Sequence, residues 1–223
     1  EMRAVDLWFT LRGPRLPPAD VVIVTMDEDS YGVLGVPLNQ PWPRALHARL
    51  LERLAAAGAR RVAFDVLFLD PGLDPVGDAA LAGAIGVVPT VLGADASMVE
   101  EGAYRRETLL LPLDRFYGAA AGVGLVGFPD DDGHVRRFLH ERSPLAAALP
   151  SLAEAAASDG PPRDEPGPDA LIAYYGPGHT IQTFSYSQAV ETEHPLPDAS
   201  FRDKIVFVGL ALRTATGPAA KDA

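Results

Sequence analysis

Two aspartates close apolar, β-branched runs: Asp27 follows VVIVTM and Asp65 follows RRVAF. Such runs read as strands buried on both faces, and open α/β sheets bind ligands in the crevice outside the carboxyl ends of their strands. If the two strands are neighbours, Asp27 and Asp65 form a carboxylate pair able to hold a divalent cation or the amino group of a ligand. The competing reading is that each acid caps the turn behind it and accepts backbone N–H bonds. Residue type alone leaves the two readings level. Arg44 and His47 lie three apart near the start of a helical pattern, so they share a helix face close to the same edge. A guanidinium fork there suits a carboxylate ligand, or else an ion pair with Asp27 or Asp65 that fixes the loop around Trp42. His47 is either a packed or exposed helix residue or, by its titration range, the candidate for pH sensing. Asp29 adds charge nearby and reads as solvated.

The elements that must position these residues follow from periodicity. VVIVTM (Val21 to Met26) predicts a first strand. In RALHARLLERLAAAGA the residues Leu46, Leu50 and Leu54 recur every four positions, which predicts an amphipathic helix ending at Gly58, and RRVAFDVLF predicts a second strand. A right-handed strand–helix–strand crossover lays its strands parallel and often side by side, which would bring Asp27 and Asp65 together. PGLDPVGDAALAGAI reads as a loop and short helix, with Asp74 and Asp78 as turn and helix-start residues, and VVPTVLGA as a third strand. Residues 95–118 read as a polar surface excursion. GLVGF and VRRFL around PDDDGH predict an antiparallel hairpin. A helix is expected from Ser143, kinked or divided at Pro150, then a Pro-rich loop from Ser158 to Pro168. LIAYYG reads as a strand, TFSYSQAVE as a short helix, and KIVFVGLA as a central strand. The expected architecture is α/β, one domain over residues 1–223: a mixed, largely parallel sheet with helices on both faces and one antiparallel hairpin.

Several patterns fail as motifs. Asp130, Asp131 and Asp132 before Gly133 suggest a calcium loop, but with glycine at position six, positions one and twelve fall on Phe128 and Leu139. Gly122, Gly124 and Gly127 spell GxGxxG but precede a turn and Pro129 where the dinucleotide fingerprint must open a helix. No GxSxG elbow, phosphate-binding loop or HExxH occurs, and the lone Asn39 is not an N-glycosylation acceptor. Asp27-Glu28-Asp29 after a buried strand resembles the DxD motif of haloacid-dehalogenase-like enzymes. That alternative, a magnesium-dependent phosphohydrolase, needs a downstream lysine and an acidic pair, and the chain offers only Lys204 and Lys221 with no such pair.

The 223 residues carry 30 acidic against 19 basic side chains, a net charge of -11, which disfavours nucleic acid and anionic lipid surfaces as partners. No apolar run approaches the ~20 residues that cross a bilayer, and the start shows no secretory-signal pattern. The opening Glu before Met reads as a piece of a longer polypeptide. With no cysteine, disulfides, thiolate metal sites and thiol nucleophiles are excluded.

The segments VVIVTMDEDSYGVLG, QPWPRALHARLLERLAAAGARRVAFDVLF, GHVRRF, IAYYGP and FRDKIVFVGLA together resemble the type-two CHASE family, most specifically around Trp42, Pro43, Arg44 and Phe64-Asp65. The resemblance implies an extracytoplasmic sensory domain without catalysis of its own. It also implies attachment to membrane helices outside this fragment, a homodimeric parent receptor, and a cytoplasmic output domain of the adenylate cyclase or histidine kinase type. It names no ligand. LRTATGPAAKDA replaces the family's compact turn to an aspartate, with Asp222 as the displaced match. A ligand-free dimerising spacer is the remaining alternative.

Overall fold

The computed structural model describes residues 8–101, 104–128, 135–137, 149–157 and 171–212. Seven strands build one sheet: β1 (Val21–Met26), β2 (Arg61–Leu67), β3 (Thr90–Glu101), β4 (Tyr104–Leu110), β5 (Gly122–Leu125), β6 (Thr183–Ser185) and β7 (Ile205–Leu210). The order is β4-β3-β2-β7-β1-β6, with β5 paired to β3. All pairings are parallel except β3 with β4. The α/β reading of the sequence therefore holds, with a mixed and mostly parallel sheet.

Strand alternation sorts the core. Val22, Val24, Val62, Phe64, Leu92, Val206 and Val208 point to one face and join a large cluster. It is closed by helices α1 (Glu28–Leu34), α2 (Arg44–Ala56), α3 (Pro75–Ile85), α4 (Asp114–Tyr117) and α6 (Tyr186–Ala189). Ala63, Val91 and Ile205 point the other way, onto α5 (Leu152–Ala156). Helices thus flank both faces, unequally. Leu50, Leu51 and Leu54 of α2 are fully buried, as their spacing predicts, and the following Gly58 takes φ 78°. Asp74 caps α3, accepting from the Val76 and Gly77 amides, with Pro75 in the first turn.

The structure corrects four expectations. The antiparallel pair is β3 with β4, inside the stretch read as an irregular excursion: Asp95 to Glu101 align with Leu110 to Tyr104. Among the described residues GLVGF forms no hairpin with VRRFL: β5 lies between β3 and the bridge from Leu125 to Ser151, and Arg137 bridges to Leu171. LIAYYG contributes only that bridge and no strand. TFSYSQAVE divides into β6 and α6 at the Ser185 capping box. The expected turn at Asp130–Gly133, the helix start at Ser143, the Ser158–Pro168 loop, and Lys221 and Asp222 lie outside the described residues.

Candidate functional site

At the carboxyl edge of the sheet β1 ends on Met26, and Asp27 takes an extended conformation as N-cap of α1. Its Oδ1 accepts the Ser30 amide at 2.9 Å and the Ser30 hydroxyl at 2.6 Å; Oδ2 accepts Ser185 Oγ at 2.5 Å and Thr25 Oγ1 at 3.1 Å. Thr25 and Ser185 are register partners on β1 and β6, so one carboxylate ties two strands to a helix start. Partial burial raises the Asp27 pKa, but the donors from Ser185, Ser30 and Thr25 outweigh it and the net direction is down. The turn-capping reading of Asp27 is the one its hydrogen bonds express. An open 560 Å³ groove beside it is lined by Glu28, Asp29, Gly32, Val33, Ser185, Ser187 and Gln188.

Asp65 does not share that rim. β7 lies between β1 and β2, and Asp65 is paired with Gly209, which pairs in turn with Thr25. Two strand spacings, about 10 Å, separate the backbones. By strand alternation Asp65 belongs with Ala63 on the α5 face; its surface is open to solvent, and the protein packed around it, together with the charge of Asp95, raises its pKa. The sequence expectation failed because it placed β1 beside β2. The last strand of the chain inserts between them, and local periodicity carries no information on that insertion.

Arg44 pairs with neither Asp27 nor Asp65. Its Nε lies 3.7 Å from Asp78 Oδ1, its Nη2 donates to the Asp70 carbonyl at 3.3 Å, and its Cζ sits 4.5 Å over the Phe68 ring. Asp78, only 2% exposed at its side chain, also accepts the Gly72 amide and faces Arg115 Nη1 at 3.6 Å. The loop after β2 is thereby clamped between α2 and α3. Asp78 does sit in the first turn of its helix, as the sequence suggests, but its use as Arg44's acid depends on the reversal at 70–74, which no local pattern announces.

His47 is 1% exposed and its Nδ1 lies 2.9 Å from the Tyr186 hydroxyl. Trp42 stacks on it at 6.2 Å, and Phe64, Phe68 and Tyr186 meet its ring edge-on at 5.4, 5.5 and 5.7 Å. Trp42 in turn packs on Tyr186 at 4.6 Å and Tyr31 at 5.0 Å. Burial, helped by the Arg44 charge, drives the imidazole pKa down to about 3, and burial raises that of Tyr186 well above the usual phenol value. His47 is therefore neutral throughout the physiological range and out of reach of solvent, so it is not a pH sensor near neutrality. Tyr186 is the partner that sequence reasoning missed. Its only signal was an aromatic residue at the start of a short helix.

Of the four nominated residues, Arg44 and His47 lie together against Phe68, as their shared helix face predicts, while Asp27 caps a helix and Asp65 stands two strands away. Among the described residues no three His, Asp or Glu side chains group to hold a metal ion, and no helix is long and apolar enough to cross a membrane. For the phosphohydrolase alternative, Lys204 precedes β7 and bonds Gln182 at 2.9 Å. Asp27 follows the parallel β1, so the length of six residues, about 20 Å of strand, separates them. Comparison with curated proteins and with solved structures gives no match. The family model described as "CHASE2 domain" matches residues 1–220.

Proposed function

The chain belongs to the CHASE2 family, a family of extracellular sensory domains of cyclase and kinase receptors, and from that membership we propose that it is the extracytoplasmic input region of a membrane-bound receptor. The domain is non-catalytic and hands its state, a bound ligand or dimer packing, to a cytoplasmic output domain of the adenylate cyclase or histidine kinase type. It acts within a homodimer of its parent. The observation that supports this reading is the family match over residues 1–220, together with the fate of the signature block. Trp42, His47 and Phe64 lie in one buried aromatic cluster and Arg44 in an ion pair beside it, a use of the motif that needs no chemistry. A divalent cation bridging Asp27 and Asp65, expected from the sequence, would need carboxylates two strands apart to converge, and it has no place in this scheme.

Because the chain has no cysteine, its exposure can be read with one introduced thiol. In the parent membrane protein, with any cysteine outside this chain replaced by serine, Glu193→Cys at an exposed loop position should react with a membrane-impermeant maleimide in cells with a permeabilised outer envelope and an intact inner membrane. Labelling only after the inner membrane is lysed would place the domain in the cytoplasm and end the proposal. Replacing residues 8–212 by a rigid coiled coil should then fix the output at a constant level; an unchanged output would reduce the domain to a spacer.

A further inference from the structure

A cavity of about 760 Å³ lies away from the carboxyl edge, between residues 9–14, residues 135–136 and the irregular stretch 172–177. That size is within the ~300–1,000 Å³ of small-molecule clefts. Its walls are apolar: Phe9, Pro14, Val135, Ile172 and Pro177. Its charges are two arginines, Arg12 and Arg136, and no acidic side chain lines it among the described residues. Arg136 is 8% exposed. Arg12 stacks on Phe9 at 4.8 Å and Trp8 at 5.1 Å and donates through Nη2 to the Tyr174 carbonyl, while its buried Nε has no hydrogen-bond partner among the described residues. A buried guanidinium N–H left without an acceptor is costly, and an incoming oxygen acceptor would recover that cost. The Tyr174 hydroxyl is already committed to the Val135 carbonyl at 2.5 Å, so it offers the ligand no free proton and Arg12 sets the specificity.

We propose that this cavity binds a small amphiphilic carboxylate, its head on Arg12 and its aliphatic or aromatic body against Phe9, Val135 and Ile172. The planar guanidinium fork matches a carboxylate, and the walls match an apolar body. The overall charge of -11 repels polyanions, which favours a monovalent ligand over nucleic acid or a phosphate-rich surface. As the ligand class of a sensor, the inference rests on the proposed function; as a binding event it is measured on the chain alone.

Calorimetric titration of the 223-residue chain with octanoate and with 3-phenylpropionate, below micelle-forming concentrations, should show saturable one-to-one binding. Octanamide should bind at least tenfold more weakly, since the charge-assisted bonds are lost, and acetate should give no saturation. Arg12→Gln should weaken octanoate at least tenfold, and Ile172→Trp, which fills part of the cavity and leaves both arginine residues in the sequence, should abolish binding. Equal binding of octanamide and octanoate would overturn the proposal, as would an Arg12→Gln variant of wild-type affinity, or absence of saturation by both acids. Should Arg12→Gln disrupt its segment, Ile172→Trp carries the test: octanoate affinity retained in that variant places the ligand elsewhere. Binding confirmed here with cytoplasmic labelling of Glu193→Cys would keep the site and discard the sensory reading.

Discussion

The buried imidazole of His47 makes the stability of this fold acid-labile in a defined window. In the unfolded chain a histidine titrates near 6.5. In the fold, burial and the charge of Arg44 lower that value to about 3. Between these values the unfolded chain binds a proton that the native chain does not, so protonation favours unfolding. The contribution of neutral His47 is fully present above about pH 6.5, declines as pH falls, and levels off near the folded value. Each pH unit in the window costs about 1.4 kcal/mol, so the drop from pH 7.5 to pH 4.5, of which about two units lie inside it, removes roughly 3 kcal/mol. Against the 5–15 kcal/mol typical of a globular fold, that loss shows in a urea midpoint.

The control must remove the titration without orphaning a buried group. His47→Leu alone strands the Tyr186 hydroxyl, which His47 Nδ1 faces at 2.9 Å. His47→Leu with Tyr186→Phe deletes both partners of the bond and is the gentler change. Urea unfolding of both proteins at pH 7.5 and pH 4.5 should give an acid-induced loss about 3 kcal/mol smaller in the double variant, because contributions from distant carboxylates are shared by both and cancel. Parallel losses in the two proteins would refute the reasoning. So would a native-state proton NMR titration in which the His47 ring moves with a midpoint near 6.5.

Asp27→Ala should cost about 1–2 kcal/mol in urea unfolding, as for a lost helix cap, and Asp27→Asn less, since asparagine still accepts from the Ser30 amide. Asp78→Ala should cost more, roughly 3–5 kcal/mol, because Arg44 would stay largely buried without its acid. An Asp78→Ala loss below that of Asp27→Ala would show the clamp to be idle. At Gly124 an added Cβ would sit 2.6 Å from Leu152 Cα, so Gly124→Ala should lower stability by 2–3 kcal/mol or more, while Gly122→Ala, whose nearest neighbour is the Val91 Cγ2 at 3.9 Å, should cost far less. Thermal unfolding of the two glycine variants side by side checks this, and equal melting temperatures would count against it.

What the sequence disclosed, and what it hid, divides along the range of the interactions. β1 spans the VVIVTM run residue for residue, and α2 and Gly58 fall where the leucine spacing and the glycine put them. These elements are fixed by neighbours a few positions away. The β3–β4 ribbon was hidden because DASMVEE and YRRETLL carry little of the apolar alternation that marks a half-buried strand. The GxGxxG pattern was rightly set aside, but its physical cause emerges only in space: Gly124 admits the backbone of α5 against β5, and a Cβ on Gly127 would meet Asp95 Oδ1 at 2.6 Å. The strand order stayed hidden: KIVFVGLA is apolar on both faces, which calls for covering layers above and below, but that pattern does not say which strands it pairs with along its edges.

That order also separates two mechanical regimes within the domain. The carboxyl edge is cross-braced: Asp27 joins β1, β6 and α1, Asp78 joins α2, α3 and the loop after β2, and the aromatic cluster around His47 joins α2, β2 and α6. Opening it would break several bonds at once. Among the described residues, the segments around the cavity at residues 9–14, 135–136 and 172–177 are joined by backbone bonds such as Arg15 N to the Tyr175 carbonyl at 2.6 Å and Ile172 N to the Arg136 carbonyl at 2.8 Å, with the Tyr174 hydroxyl on the Val135 carbonyl beside them. Segments with few ladder bonds and little core contact open at the lowest free-energy cost, and ligand-responsive regions are drawn from that end of the scale. The proposed carboxylate site belongs to this second set, beside the Arg12 Nε, which is among the buried side-chain N–H groups without an acceptor among the described residues.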